Sequence, residues 1–385
     1  MPYARELRFV YRNPTRVVFG EGSVAGVALE VGSLGGTRAL VVTDEGLTKT
    51  DLPERVKSAL GDKCVGVFGE VKPDSGFDVV QRGVEVAQEL GADILVSVGG
   101  GSSMDTAKAM SIVIKGGGKL SDYVGAPIGG PPVPHIAIPT TSGTGSECTQ
   151  IAVVKDDERG VKQVFLSDHL FPKLAILDPQ MTVGMSPLLT ASTGMDAMTH
   201  AVEGVASIMK EPIADALNLH AIRLIVEYLP RCVENGDDLL ARGQQMIAAT
   251  LAGIGCSHSL YGIVHAMAHV VGAKHGVPHG IANGVLLPHG MRYNLEACPD
   301  RYALVAEAMG VKEKGMNDKE AATAAVNAMS DLINSIGHPQ RLRDVGVPAD
   351  GLEDCATATL SEPPILTNPR PGDPDEVLKM FQEAW

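Results

Sequence analysis

Hydrophobic and polar positions change rhythm once along this chain. In the first half, short apolar runs alternate with longer stretches of helical period. Ala39–Thr43, Cys64–Phe68, Ile94–Val98, His135–Ile138 and Leu174–Leu177 read as strands, and Leu52–Leu60, Phe77–Leu90 and Ser103–Ile114 as helices. Between Phe77 and Leu90 the residues Val79, Val80, Gly83, Val84, Ala87 and Leu90 share one face. Strands that are apolar throughout, separated by helices, predict a parallel sheet covered on both faces. Residues 8–20 predict two short strands around Asn13-Pro14, which need another sheet or a second subunit to bury them. Residues 151–154 and 161–167 predict a hairpin around Asp156–Gly160.

After Met185-Ser186-Pro187 the strand-like runs stop. Helical periods occupy 188–207, 212–229, 237–255, 260–273, 280–292, 299–309, 317–336, 350–360 and 374–384. The expectation is an α/β domain over 1–186 and an all-helical domain over 187–385. No internal repeat is visible.

Composition narrows the partners. The chain has 385 residues and a formal charge of −14, with its basic residues scattered. Nucleic-acid binding calls for clustered Lys and Arg, so it is not expected. Six cysteines stand apart, with no CxxC, which fits free thiols in a reducing compartment. No apolar run approaches the length of a membrane span and the N-terminus has no apolar signal core. The expected location is the cytoplasm.

The chemistry concentrates between Cys256 and His289, where six of the eleven histidines fall. His265 and His269 are four apart in an apolar helical segment, so both rings lie on one face. His279 follows a turn that can fold the chain back towards that face. Upstream, Asp196, His200 and Glu203 form one stripe of another helix. Two such helices can build a divalent-metal site in a bundle core. Imidazoles with a carboxylate suit iron, zinc or nickel better than magnesium or calcium. A single histidine on an apolar helix is more often a hydrogen-bonded core residue than a ligand. Several at helical spacing favour a site, although spacing does not say which three or four groups bind.

Two glycine-rich turns follow strands directly: Gly99-Gly-Gly-Ser102-Ser103, and Pro139-Thr-Thr-Ser-Gly-Thr-Gly-Ser146. A strand, then glycines, then a helix N-terminus makes a phosphate cradle. The first turn departs from GxGxxG, because residue 104 is Met. Asp44 directly follows the first of these strands, Ala39–Thr43. There it can bind a ribose diol and disfavour a 2′-phosphate, selecting NAD over NADP; equally, it can cap the turn that follows.

These pieces together resemble the iron-containing (group III) alcohol dehydrogenases, which include lactaldehyde reductase and 1,3-propanediol dehydrogenase. The resemblance runs through Gly99–Ser102 with Asp105 and Lys108, Pro139–Thr144, Asp178-Pro179, Gly194–Glu203, His265–His269, Pro278-His279-Gly280 with Asn283, Leu287-Pro288 and Asn368-Pro-Arg370. It implies a Rossmann-like parallel α/β domain joined to a helical domain, a dehydroquinate synthase-like architecture. It implies Asp196, His200, His265 and His279 as metal ligands, with iron(II) expected and zinc or nickel able to replace it. It implies that Asp44, Gly100, Gly101, Ser102, Thr140, Thr141, Thr144, Val153, Lys162 and Met181 line an NAD site. The implied reaction is hydride transfer between a small primary alcohol or diol and its aldehyde. His269 stands near the substrate as a candidate proton relay. A homodimer or larger assembly, paired through the N-terminal strands, is also implied. Asp74-Ser75-Gly76 replaces a frequent Asn-Pro-Thr, and His258 and Cys256 depart from the usual residues before the metal helix, so the substrate does not carry over.

Three other readings compete. A metal-dependent hydrolase leaves both glycine turns unexplained. A dehydroquinate synthase-like lyase calls for clustered cations, yet residues 255–290 contain only Lys274. A metal-stapled structural protein calls for a closed coordination shell.

Overall fold

The computed structural model describes residues 3, 7–73, 75–130, 132–156 and 158–385. It divides into two compact units, one over Arg12–Gly184 and one over Met185–Trp385 together with the described residues up to Tyr11.

In the first unit the strands are β1 (Arg16–Phe19), β2 (Ala39–Asp44), β3 (Cys64–Val71), β4 (Ile94–Gly99), β5 (His135–Pro139), β6 (Ile151–Asp156), β7 (Val161–Leu166) and β8 (Leu174–Leu177). The helices are α1 (Val27–Ser33), α2 (Leu52–Leu60), α3 (Phe77–Glu89) and α4 (Gly101–Gly116). Among the described residues, six strands form a sheet in the order β1-β8-β5-β4-β2-β3, with every pairing parallel. β6 and β7 form a separate antiparallel hairpin.

Alternation along the strands explains their unbroken apolarity. Leu40, Val42 and Leu95 face one side with Val80, Val84 and Met110 of α3 and α4. Val41, Val96 and Ile136 face the other with Val27, Val56 and Leu60 of α1 and α2. Both faces are covered, so neither can be polar.

Two expectations fail here. Residues 8–12 form no strand, and only Arg16–Phe19 of the anticipated pair does so. Pro14 lacks a backbone donor. Asn13 turns away, donating through its side chain to the Cys148 carbonyl at 3.3 Å, while β1 pairs with distant β8 instead. The sequence reading also passed over α1, a seven-residue helix with little periodicity to reveal it.

The second unit contains α5 (Pro187–Ala206), α6 (Pro212–Glu234), α7 (Leu239–Ser259), α8 (Ile263–His275), α9 (His279–Asn294), α10 (Pro299–Ala308), α11 (Asp318–Ser335), α12 (Leu352–Thr359) and α13 (Pro374–Ala384). Their starts are written locally. The Ser186 hydroxyl accepts from Leu189 N–H ahead of Pro187, Glu211 caps α6 ahead of Pro212, and Asn317 with Glu320 forms a capping box on α11. α5 is buried on all sides from Gly194 to Ala206. Among the described residues no single helix is long and apolar enough to cross a membrane; α7 and α8 pass that test only as a pair bent by 105°.

Candidate functional site

In the helical unit, three helices bring their polar side chains to one point. Asp196 lies on α5, His265 on α8 and His279 at the first position of α9. One ligand atom from each of these lies within 4.8 Å of the other two. The second side chain of the α5 stripe, His200, stacks on His265 with ring centroids 4.8 Å apart. His269 completes the group one turn along α8, its ring 5.5 Å from that of His279. All five residues named from the sequence in this half therefore meet in space.

Asn283, one turn into α9, sits at the focus. Its amide nitrogen is 2.8 Å from Asp196 Oδ1, 3.1 Å from His279 Nε2 and 3.3 Å from His265 Nε2. Both imidazoles thus turn an Nε2 lone pair inwards. Burial lowers the His265 pKa well below the ordinary histidine value, keeping the ring neutral and its lone pair free. Burial pushes Asp196 upwards, but His200, His279 and His265 outweigh it and hold the carboxyl below its usual range. His200 Nδ1 and Asn283 Oδ1 are buried with no hydrogen bond among the described residues. Converging lone pairs and orphaned polar atoms are costly to bury, and a divalent cation offsets that cost. The donor set therefore fits the iron, zinc or nickel expected from the sequence.

The ligand helix is held by residues outside the cluster. α7 and α8 are separated by a break at Leu260, whose φ of 61° is rare for a side chain of this size. A β-carbon on Gly262 would lie 2.8 Å from both Asn368 Oδ1 and Glu203 Oε1, so only glycine fits. That close approach lets two remote side chains cap α8. Ile263 N–H donates to Asn368 Oδ1 at 3.1 Å, and Val264 N–H to Glu203 Oε1 at 2.7 Å. The other Glu203 oxygen lies 2.5 Å from His265 Nδ1. Glu203 therefore faces the start of α8 and His265 Nδ1 rather than the focus at Asn283, and it orients that ring. Burial raises its pKa to about 7 against the pull of the Gly262, Val264 and His265 amides.

The remaining histidines go elsewhere. His258 stacks on Tyr11 at 4.4 Å, and His275 lies 3.4 Å from Cys355 Sγ. His289 contacts Arg292, and His220 is exposed on α6. Two residues at the cluster were not among those singled out by the sequence. Tyr261 lies against the His265 ring at 4.4 Å, and Glu362 sits 3.0 Å from His269 Nδ1. Tyr261 is four residues before His265, a spacing that could have flagged it; Glu362 lies 93 positions from His269 and has no local signal.

In the sheet unit, most of the residues expected to line a cofactor gather at the carboxyl ends of adjacent strands. β2, β4 and β5 are neighbours, and their registers bring Asp44, Gly99 and Pro139 to the same edge. Chain order reverses between β2 and β4, the position where open α/β sheets bind ligands. The two glycine turns touch: a β-carbon on Gly100 would lie 3.2 Å from Thr141 Oγ1, and one on Gly101 2.9 Å from Thr144 Cγ2. Asp44 serves its turn, accepting from Leu47 N–H at 2.9 Å, and its other oxygen lies 3.5 Å from Ser103 Oγ. Thr140 is buried with its N–H on the Gly99 carbonyl. Val153 on β6 is partly exposed and Lys162 lies opposite Lys155 on β7, whereas Met181 is packed into the core. Of the departing segment 74–76, Asp74 lies outside the described residues, and Ser75 and Gly76 join β6 through Lys155.

A buried cross-brace holds this edge together. The Lys108 ammonium, 1% exposed, donates to Ser146 Oγ at 2.7 Å, Thr149 Oγ1 at 3.1 Å and the Ile151 carbonyl at 2.7 Å. Asp105 lies 3.7 Å away, accepting from Ser146 Oγ and from Val153 N–H. Burial pulls the Lys108 pKa down, while Asp105 and Glu147 oppose it. Every ammonium proton has an acceptor, and each acceptor lies in the segment following the second glycine turn.

Comparison with known proteins agrees with both halves. Residues 14–179 match the family model for iron-containing alcohol dehydrogenase, and residues 190–385 match that for the C-terminal part of the Fe-containing alcohol dehydrogenase family. Lactaldehyde reductase of Escherichia coli (strain K12) is 38% identical over 374 residues, covering 95% of this chain and 97% of that protein. The crystal structure of a 1,3-propanediol oxidoreductase superposes with a TM-score of 0.95 at 38% identity, covering 98% of this chain and all of the other. A sulfoacetaldehyde reductase from Bifidobacterium kashiwanohense, solved in complex with NAD+, gives 0.89 at 29% identity, covering 98% and 99%. With a donor cluster of the right chemistry, a parallel sheet of the right topology and matches along nearly its whole length, the chain belongs to the iron-containing alcohol dehydrogenase family of oxidoreductases.

Proposed function

We propose that this protein interconverts a small primary alcohol or diol and its aldehyde with NAD(H), using one divalent ion held by Asp196, His200, His265 and His279. The observation that carries the reading is the convergence of three potential ligand atoms within 4.8 Å, with Asp196 and His265 buried and His279 partly so. In this reading residues 1–186 bind the dinucleotide and residues 187–385 hold the metal and substrate.

The ion, when bound, supplies a Lewis acid that lowers the pKa of the alcohol. The chain supplies the rest. Asp196 contributes negative charge, and Glu203 holds His265 with its neutral Nε2 inwards. His269, fixed through Nδ1 by Glu362, takes the hydroxyl proton on its other nitrogen, and the carboxylate stabilises the imidazolium that results. Hydride passes from the alcohol carbon to the nicotinamide C4, so carbon is oxidised and the cofactor reduced. Asp44 selects NAD through the ribose diol, and the two glycine turns hold the pyrophosphate.

Support against a lyase comes from Lys274, the lone cation of residues 255–290, which is exposed at the end of α8. All six cysteines are free, which suits the cytoplasm. β1 is an edge strand with Val17 and Phe19 partly exposed, the feature on which pairing into a dimer through the N-terminal strands rests. The test is a panel of alcohols and diols with metal-reconstituted protein, followed by NADH absorbance. Turnover of short primary alcohols is expected, and absence of NADH with every member would remove the reading.

A further inference from the structure

The first turns of α9 carry His279 and Asn283, and both sides of those turns are in unusually close contact. On one side Gly280 meets α5: a β-carbon there would lie 2.3 Å from the Ser192 carbonyl oxygen and 3.4 Å from Asp196 Cβ. On the other side Gly284 meets the ring of His338, where a β-carbon would lie 2.4 Å from Cε1 and 2.6 Å from Nε2. The helix backbone is thus gripped between the segment that bears Asp196 and an imidazole from the loop after α11.

His338 is an odd choice for packing alone. It is 2% exposed, and its Nδ1 lies 2.8 Å from the Pro339 carbonyl. Its Nε2 makes no hydrogen bond among the described residues. Burial lowers its pKa, against the pull of the Pro339 and Gly280 carbonyls. An aliphatic side chain of similar volume would fill the position without burying a polar ring. What the imidazole offers instead is a flat, rigid face seated directly on the main chain at Gly284, five residues from His279. Packed interiors transmit such contacts, because they leave little room to relax. Ligand geometry tolerates displacements of only about 0.5 Å.

We infer that His338 is a positioning residue for the metal centre: seated on Gly284, its ring presses the start of α9 against α5 and so sets where His279 and Asn283 stand relative to Asp196 and His265. The inference rests on the reading of Asp196, His265 and His279 as ligands.

The test uses the full chain, stripped with chelator and titrated with Zn2+ against a chromophoric competitor, with folding followed by circular dichroism and urea midpoint. The variants are H338A, H338L, G284A and the double variant G284A/H338A, with D196A as control. H338A should weaken Zn2+ binding by about 10- to 100-fold, the range seen when groups orienting a ligand are removed. G284A should weaken it as well, because its methyl meets the ring. In the double variant that methyl enters the space the ring leaves, so affinity should recover beyond the sum of the single losses. A merely structural contact would move the urea midpoint without this recovery. H338L fills the volume without the flat ring, so it carries the test if H338A does not fold. Wild-type affinity in a folded H338A or H338L, or strict additivity in the double variant, overturns the inference. Failure of the ligand reading looks different: D196A would bind Zn2+ as tightly as the wild type.

Discussion

In the proposed reading each half of this protein holds a ligand, and the two candidate sites are built from different parts of the chain. At the sheet edge the cradle is largely main chain: glycines at 99–101, 143 and 145, with threonine hydroxyls and a buried lysine that ties the second turn in place. In the helical unit the site is side chain: a carboxylate and imidazoles from three helices, with Glu203 on His265 and the Asn283 amide on Asp196. A diffuse polyanion is matched by many backbone N–H groups, whereas a small cation demands a few lone pairs at fixed distances. Damage should therefore spread differently in the two. The cradle should fail through loop disorder, and the metal centre through loss of single atoms.

The hardest test of that contrast is His265→Ala. It should lower metal content at least about 100-fold and remove alcohol oxidation with it, since both a ligand and the partner of Glu203 vanish. Binding of NAD, followed by nicotinamide fluorescence, should stay within about twofold, and its collapse would show that the two sites are not separately built. Lys108→Met is the mirror experiment. It strands Asp105 in a buried position, so unfolding free energy should fall by about 3–5 kcal/mol. NAD affinity should fall with it while metal content holds. A variant as stable as the wild type would make the cross-brace ornamental.

A smaller effect separates the halves by pH. Burial, with help from Lys108, holds the His135 pKa down to about 3, from an ordinary 6.5. Between those values the unfolded chain binds a proton that the folded chain refuses, so stability falls as the pH drops below about 6.5. By pH 5 the loss should be about 2 kcal/mol at one such site, read from urea midpoints. The His135→Asn variant should show a shallower slope over the same range, and an unchanged slope would free His135 from blame. The mildest change is Asp44→Gly. It should raise the ratio of NADP to NAD use by about tenfold, worth roughly 1.4 kcal/mol, with metal content untouched. An unchanged ratio would leave Asp44 only its role as acceptor for Leu47 N–H.

The chain announced most of its elements because their signals are local. The buried strands are apolar on both faces, and the helices of the second half begin at written caps such as Ser186-Pro187 and Glu211-Pro212. The failures are equally physical. Residues 8–12 have strand-like composition but pair with no strand among the described residues, and α1 is too short to display a period. Spacing placed Asp196, His200 and Glu203 on one stripe, yet that stripe turned out to hold residues of different kinds. Asp196 meets His265 and His279, whereas Glu203 reaches past them to cap α8.

By itself, then, the sequence determined the order and type of elements, the glycine turns behind their strands and the pool of histidines from which a metal site could be drawn. Periodicity and capping act within a few residues, and they leave their mark there. Only the tertiary structure decided which imidazoles meet, that Asn283 stands at their focus and that Glu203, Asn368 and His338 hold the ligand helices from a distance. Those contacts join residues tens of positions apart, and nothing in the local pattern of either partner encodes the other.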